Sequence, residues 1–428
     1  MEPGNDAKQS VLWPGGANAL RVGVICDLAE EMWPSMDLVA EMTMRHLISD
    51  HAGTIAARQL RPAMFRRFGR LPWVGEHRFV RNADRLLNRF LDYPRWLRHQ
   101  LEDTDIFHLI DHSYAQLIHE LPPERTIVTC HDLDTFRCLI APDREPRSRP
   151  FRMMTQRILN GLLKAAHVIC VSHATHAALM KSGWFSPDRV SVIHYGVHPT
   201  LSVNADPSID LQVHRMLDAA PAVPLLLHVG SGIPRKRIDV LLRVYARIRA
   251  ALPEARLIRV GSKLNEEQTK LAHELGVTDG ISVFPFLEKR QLAAVYRKST
   301  LLLQTSDAEG FGLPVIEAMA CGCPVLASDI PPLREAGGVA AQFCPVGDID
   351  AWAETAINIL RESPDSREQR RVAALAQAGR FSWPEAVAET VRTYQRVVGF
   401  RTVSPQIADL DPRLSRKTAT AGGAGPVA

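Results

Sequence analysis

The sequence predicts an α/β fold built as two domains, each a parallel sheet covered by helices. Three observations lead there. Short β-branched runs alternate with amphipathic stretches along the chain, the pattern of strand–helix–strand units. The alternation pauses at a polar, proline-containing segment from about His198 to Pro224 and then restarts. Finally, 428 residues are too many for one ordinary core but suit two domains of roughly 200 each.

In the first half, strands are predicted at Arg21–Asp27, Asp105–Asp111, Thr126–Asp132 and His167–Ser172. Each ends in polar residues, and in open parallel sheets the ligand crevice lies at those carboxyl ends. The run Val190–Val197 leads into the connection. The second half has strands at Leu225–Gly230, Ala255–Gly261, Ile281–Phe286, Leu301–Ser306 and Pro324–Ser328. Helices are expected from Arg237, Asn265 and Lys289 and after Gly312. The first of these rests on Ile238, Leu241, Leu242, Tyr245 and Ile248, which form one apolar stripe. The expected organisation is an N-terminal extension (1–19), a first domain (20–200), a connection (201–223) and a second domain (224–382). A C-terminal helix (383–400) and a disordered tail (401–428), small and polar at its end, complete it.

Apolar residues at 46% and charged residues at 23% are normal for a folded soluble protein. No apolar run approaches the ~18–20 residues needed to span a bilayer. The start, MEPGNDAKQS, lacks the basic-then-apolar order of a secretory signal, so a cytoplasmic location is expected. Of seven cysteines, Cys26, Cys130 and Cys170 lie in apolar runs, and Cys321 and Cys323 have no second pair to complete a metal site. Buried reduced thiols are expected.

A net charge of +4, from 51 basic against 47 acidic side chains, does not mark a nucleic-acid binder. The distribution says more. Between Arg58 and Arg98 stand eleven arginines and three carboxylates, Glu76, Asp84 and Asp92, interleaved with Phe65, Phe68, Trp73, Phe79, Phe90, Tyr93 and Trp96. Such a stretch suits an anionic lipid interface at the inner membrane face, and equally a solvated helix face.

The strongest local signal is Ser306–Glu317, SDAEGFGLPVIE, at the end of a strand and entering a helix. Glycines at 310 and 312 let backbone amides approach a ligand, and the helix N-terminus beyond them suits a diphosphate. Glu309 and Glu317 flank that loop, and carboxylates accept hydrogen bonds from sugar and ribose hydroxyls. A bare Gly-x-Gly is as readily a structural turn; the whole string is harder to explain that way.

EGFGLPVIEAMACGCPVLASD closely resembles the signature of glycosyltransferase family 4, the retaining GT-B enzymes. The likeness extends over Pro224–Asp350 and resumes at FSWPEAVAETVRTY. The resemblance implies a GT-B fold, two Rossmann-like domains facing across a cleft, with the C-terminal helix returning to the first domain. It also implies roles. Glu309 is similar to the glutamate at the reacting face of the transferred sugar, and Glu317 to the one holding the donor ribose. Gly310, Phe311, Gly312 and Leu313 stand where family amides meet the diphosphate. Arg235 and Lys236, in HVGSGIPRKRIDVLL, match the basic pair that neutralises the leaving diphosphate, as fixed cations in a dry cleft should. Ser231 stands where the family often has arginine, which shifts some diphosphate contact to Arg235. Leu287, between Phe286 and Glu288, falls where the base is read.

In the first half, the family's glycine-rich loop is replaced by CDLAEEMWPSMDLV, with Ser35 where the phosphate loop belongs. His112 and His131 end adjacent strands, and His131 is followed by Asp132. Each is a candidate for positioning a sugar hydroxyl, or a structural histidine. His108 reads as a core residue.

The resemblance implies a transferase that moves a sugar from a UDP-, GDP- or ADP-sugar to a glycan or lipid-linked acceptor with retention. No cofactor is expected, since the nucleotide sugar is a substrate. No Asp-x-Asp motif is present, and no metal requirement is predicted. Other readings are a sugar-nucleotide epimerase, active without acceptor; a phosphorylase, needing free phosphate; and a non-catalytic scaffold, which would not need both the glutamate pair and the basic pair.

Overall fold

In the computed structural model, residues 19–68, 78–218 and 223–403 are described. The expected extension at 1–19 lies outside these residues except for its last position.

Among the described residues, twelve strands form two six-stranded sheets. The first holds β1 (Leu20–Ile25), β2 (Ile55–Leu60), β3 (Ile106–Leu109), β4 (Thr126–Cys130), β5 (His167–Cys170) and β6 (Val190–Val192). The second holds β7 (Leu225–Val229), β8 (Arg256–Val260), β9 (Ile281–Phe284), β10 (Leu301–Gln304), β11 (Val325–Ser328) and β12 (Gln342–Cys344). All pairings are parallel, in the orders β2-β1-β3-β4-β5-β6 and β12-β11-β10-β7-β8-β9. Each order reverses once, between β1 and β3 and between β7 and β10. Those switch points are where chain exits diverge and open a crevice. The central strands are buried on both faces, as their unbroken apolar runs demand.

Predicted strands are generally longer than observed ones, because the polar residues at their ends have left the ladder to form the crevice. The strand β2 is absent from the prediction: IAARQL is alanine-rich and lies on the sheet edge, so its burial depends on β1 rather than on its own composition. The connection expected at 201–223 contains a helix, Pro207–Leu217, capped by the Asp206 side chain. Its Val213 and Leu217 are buried, and Asp210 pairs with Arg297.

The final helix, Trp383–Val403, extends three residues into the predicted tail, whose remainder lies outside the described residues. It packs on the helix Pro34–Asp50 of the first half. Its start passes so close to Gly196 that a Cβ there would lie 2.1 Å from the Trp383 nitrogen. Trp383 stacks on Tyr195, and the Tyr394 hydroxyl lies 2.7 Å from His108 Nδ1. Burial pushes His108 down to about 3, so it is a neutral core residue. All seven cysteines are buried and free.

Of the arginine-rich stretch, residues 69–77, with Trp73 and Glu76, lie outside the described residues; the rest includes the end of β2, the helix Arg78–Leu87, a wider turn at Asn88–Asp92 and the helix Tyr93–Arg98. Several of its arginines are tied internally. Arg61 pairs with Asp37, Arg67 with Asp92, Arg98 with Glu120, and Arg85 and Arg89 with Glu31. Arg66, Arg81 and Arg95 are exposed, as are Phe65, Phe68 and Phe79, the last 83% exposed.

Candidate active site

The Lys236 ammonium is set by local backbone geometry. Pro234 opens a tight turn after β7, and Arg237 closes it in the left-handed region at φ 48°. The exit of β10 grips this turn: the Thr305 hydroxyl donates to the Lys236 and Arg237 carbonyls at 3.0 and 3.3 Å, and the Asp307 amide to Arg235 O. Lys236 is thereby buried with Nζ 2.5 Å from Glu309 Oε1. That oxygen also accepts from Gln304 Nε2 at 2.8 Å and Ser306 Oγ at 2.7 Å. Burial alone would raise the Glu309 carboxyl, but Lys236 and Arg235 hold it below its ordinary value.

Arg235 reaches across to the first domain. It lies 3.7 Å from Asp132, 3.4 Å from Asp134 and 3.6 Å from Glu309, and donates to the Ala308 carbonyl. The helix Leu313–Ala320 begins at Gly312, whose φ of 122° favours glycine. Its positive end faces this cluster of charges. Gly310 has a different requirement from the one expected. A Cβ there would lie 2.2 Å from the His131 carbonyl of the other domain, and its own carbonyl accepts from Ser172 Oγ at 2.7 Å. The glycine permits two domains to touch.

Glu317 is buried on the same helix, one oxygen accepting from the Tyr296 hydroxyl at 2.9 Å. Burial pushes its carboxyl up to about 7, against that hydrogen bond and the charge of Lys289. Phe311 is buried, Leu313, Ser231 and Leu287 are half-buried, and Ser35 is exposed at the start of the helix Pro34–Asp50.

The two histidines come together, with ring centres 5.9 Å apart. His131 uses both nitrogens inside the fold, Nε2 on the Ile110 carbonyl and Nδ1 on the Tyr195 hydroxyl. That makes it a brace for the strand exits. His112 is buried, accepts from the His131 amide and turns Nε2 toward Thr135 and Asp132. At the exit of β1, Asp27 is buried beside Asp111. Burial, then neighbouring Asp111, pushes its carboxyl well above the ordinary range. Burial would raise Asp111 too, but His112, His131 and bonds from Ser113 hold it low.

Sequence reasoning missed Arg259 and His228. Both are fully buried beneath Gly230, next to Lys236. Arg259 Nη2 is 3.5 Å from Gly230 O and 3.4 Å from Ser262 Oγ, while Nε and Nη1 have no partner among the described residues. Burial lowers it to about 10. Burial, then Arg259 and Lys236, lowers His228 to about 3, leaving it neutral. Arg259 and Lys236 thus place positive charge beside His228, opposed in part by Glu309. The available signal was Arg259 set between apolar residues of the strand RLIRVG.

The family model for glycosyl transferases group 1 matches residues 214–376, and that for glycosyltransferase family 4 matches residues 39–201. D-inositol 3-phosphate glycosyltransferase of Mycolicibacterium smegmatis is 32% identical over 236 residues, 51% of this chain and 50% of that one. Its counterpart from Segniliparus rotundus is 33% identical over 233 residues, 50% of this chain and 51% of that one. The chain spans about half the length of the curated relatives it matches. A sucrose-phosphate synthase from Thermosynechococcus elongatus superposes with a TM-score of 0.68 at 19% identity, covering 89% of this chain and 99% of that one. Anabaena HepE, solved with UDP and glucose, gives 0.66 at 17% identity, covering 88% of this chain and all of that one. At such identities these two establish the fold. With one family model on each half and the GT-B architecture throughout, this chain belongs to glycosyltransferase family 4.

Proposed function

We propose that the protein transfers a sugar from a nucleotide-sugar donor to a glycan or lipid-linked acceptor, with retention at the anomeric carbon and without a metal ion. The observation that carries this reading is Glu309 held between Lys236 and Arg235 at the exit of β10, where Arg235 reaches Asp132 and Gly310 packs on His131 of the other domain. A departing diphosphate gains charge, and Lys236, Arg235 and the positive end of the helix Leu313–Ala320 would stabilise it in a partly dry cleft. The leaving phosphate would take the acceptor proton while its oxygen attacks the same face. Glu309 would orient the transferred sugar, and Glu317 would accept from the donor ribose.

The nucleotide base is open to a direct test. Thermal shifts are measured with UDP, GDP, ADP and their sugar conjugates. One nucleotide is expected to stabilise the fold by roughly 2–4 kcal/mol at concentrations far above its dissociation constant, with transfer persisting in chelator. No shift with any of them, or turnover restored only by magnesium after chelation, would overturn the reading as stated.

Polysaccharide or glycolipid synthesis at the inner membrane face is the setting this site would serve. Among the described residues no helix is long and apolar enough to cross a membrane. The exposed aromatic and arginine side chains around Phe65, Arg66, Phe79 and Arg81 support peripheral contact with anionic lipid. Co-sedimentation is expected with anionic vesicles and weaker with neutral ones; equal recovery with both counts against it.

A further inference from the structure

We propose that His173, His194 and Glu335 form a transition-metal site that fastens the two domains together beside the diphosphate loop. His173 opens the helix His173–Lys181 after β5, and His194 follows β6. Glu335 comes from the other domain, on the helix Pro331–Gly337. One ligand atom from each lies within 4.8 Å of the other two, and the imidazole rings are 5.4 Å apart.

The chemistry of the set selects the ion. Two imidazoles and one carboxylate suit Zn²⁺, Co²⁺ or Ni²⁺, with bonds of about 2.0–2.2 Å and water in the remaining position. Mg²⁺ and Ca²⁺ prefer all-oxygen shells. Exposed His173 gives an entry path.

The supporting contacts are already in place, as metal ligands require. The Glu335 carboxylate accepts from the His173 amide at 2.8 Å and the Ala174 amide at 3.4 Å, which fixes its orientation, and it contacts His194 Nε2. His194 stacks on Phe311 at 5.6 Å and meets Phe381 edge-on. A tetrahedral ion holds neighbouring ligand atoms about 3.4 Å apart, so the hydrogen-bonded His194 Nε2 and Glu335 carboxylate must separate for one to enter between them.

The location gives the site a consequence. Phe311 belongs to the loop after Glu309, and Ser172 and Thr175, on either side of His173, both donate to Gly310 O of that loop. An ion here would tie down the seam that grips the loop and would slow any step that requires the domains to separate. It is separate from the proposed transfer chemistry, which needs no metal.

The test uses the full chain, without a histidine tag and stripped by chelator, and reads binding directly. Zn²⁺ is titrated by calorimetry, and Co²⁺ by the visible absorption of a tetrahedral site. Parent protein is expected to take up one Zn²⁺ per chain with a rise in Tm, and to ignore millimolar Mg²⁺. His173→Ala keeps the amide bonds to Glu335 and the His194 contact, so it should fold normally and bind Zn²⁺ at least tenfold more weakly. Glu335→Gln should weaken binding comparably. Absence of saturable one-to-one binding, or equal affinity in both variants and the parent, overturns the proposal whatever the protein's activity proves to be.

Discussion

Lys236→Ala is expected to lower kcat/KM for transfer by about a hundred- to a thousandfold in a protein that still folds. The ammonium is buried, and its position is fixed by the Pro234 turn and the Thr305 clamp. It therefore needs no reorganisation when charge develops on the leaving phosphate, and the loss should fall largely on kcat. Removing one partner of a buried pair ordinarily destabilises strongly. Here Glu309 keeps Arg235, Gln304 and Ser306, so folding should survive, which a melting curve checks. The thermal shift with the cognate nucleotide should shrink or vanish in the same variant. Turnover within threefold of the parent would remove Lys236 from the proposed mechanism. In a double-mutant cycle with Glu309→Gln, the two losses should fail to add, because both changes act on one contact.

What the sequence made legible was local. The exit of β10, its loop and the helix at Leu313 occupy one continuous string, so Glu309, Gly312 and Glu317 are neighbours along one strand–loop–helix segment. The Pro234–Arg237 turn was similarly readable, although nothing in it reveals that Thr305 and Asp307 hold it in place. What was not legible depends on contacts between distant parts of the chain. Gly310 answers to His131 in the other domain, Arg259 to a loop after a neighbouring strand, and Glu335 to two histidines more than a hundred residues earlier. The arginine-rich stretch is a further case: nothing within it reveals that Arg85 and Arg89 pair with Glu31. His131 ends a strand at the crevice, as expected, yet Ile110 and Tyr195 occupy both of its nitrogens.

Glu317→Gln should separate stability from binding, with the two moving in opposite directions. In the folded protein burial raises this carboxyl from 4.5 to about 7. Its folded value exceeds its unfolded value, so stability is full below about 4.5, falls as pH rises toward 7, and stays reduced above it. The reduction amounts to roughly 3 kcal/mol at pH 8. Glutamine retains an acceptor for the Tyr296 hydroxyl but never ionises. The variant should therefore melt several degrees above the parent at pH 8 and nearly with it at pH 4.5. Donor binding should weaken about ten- to a hundredfold, because hydrogen bonds to an ionised acceptor contribute roughly 1.5–3 kcal/mol. In the parent, KM for donor should fall as pH rises through 7, when Glu317 ionises, and in the variant that dependence should flatten. Equal melting at pH 8 would refute the burial argument. An unchanged KM would instead refute the ribose role and leave Glu317 as a buried acid hydrogen-bonded to Tyr296.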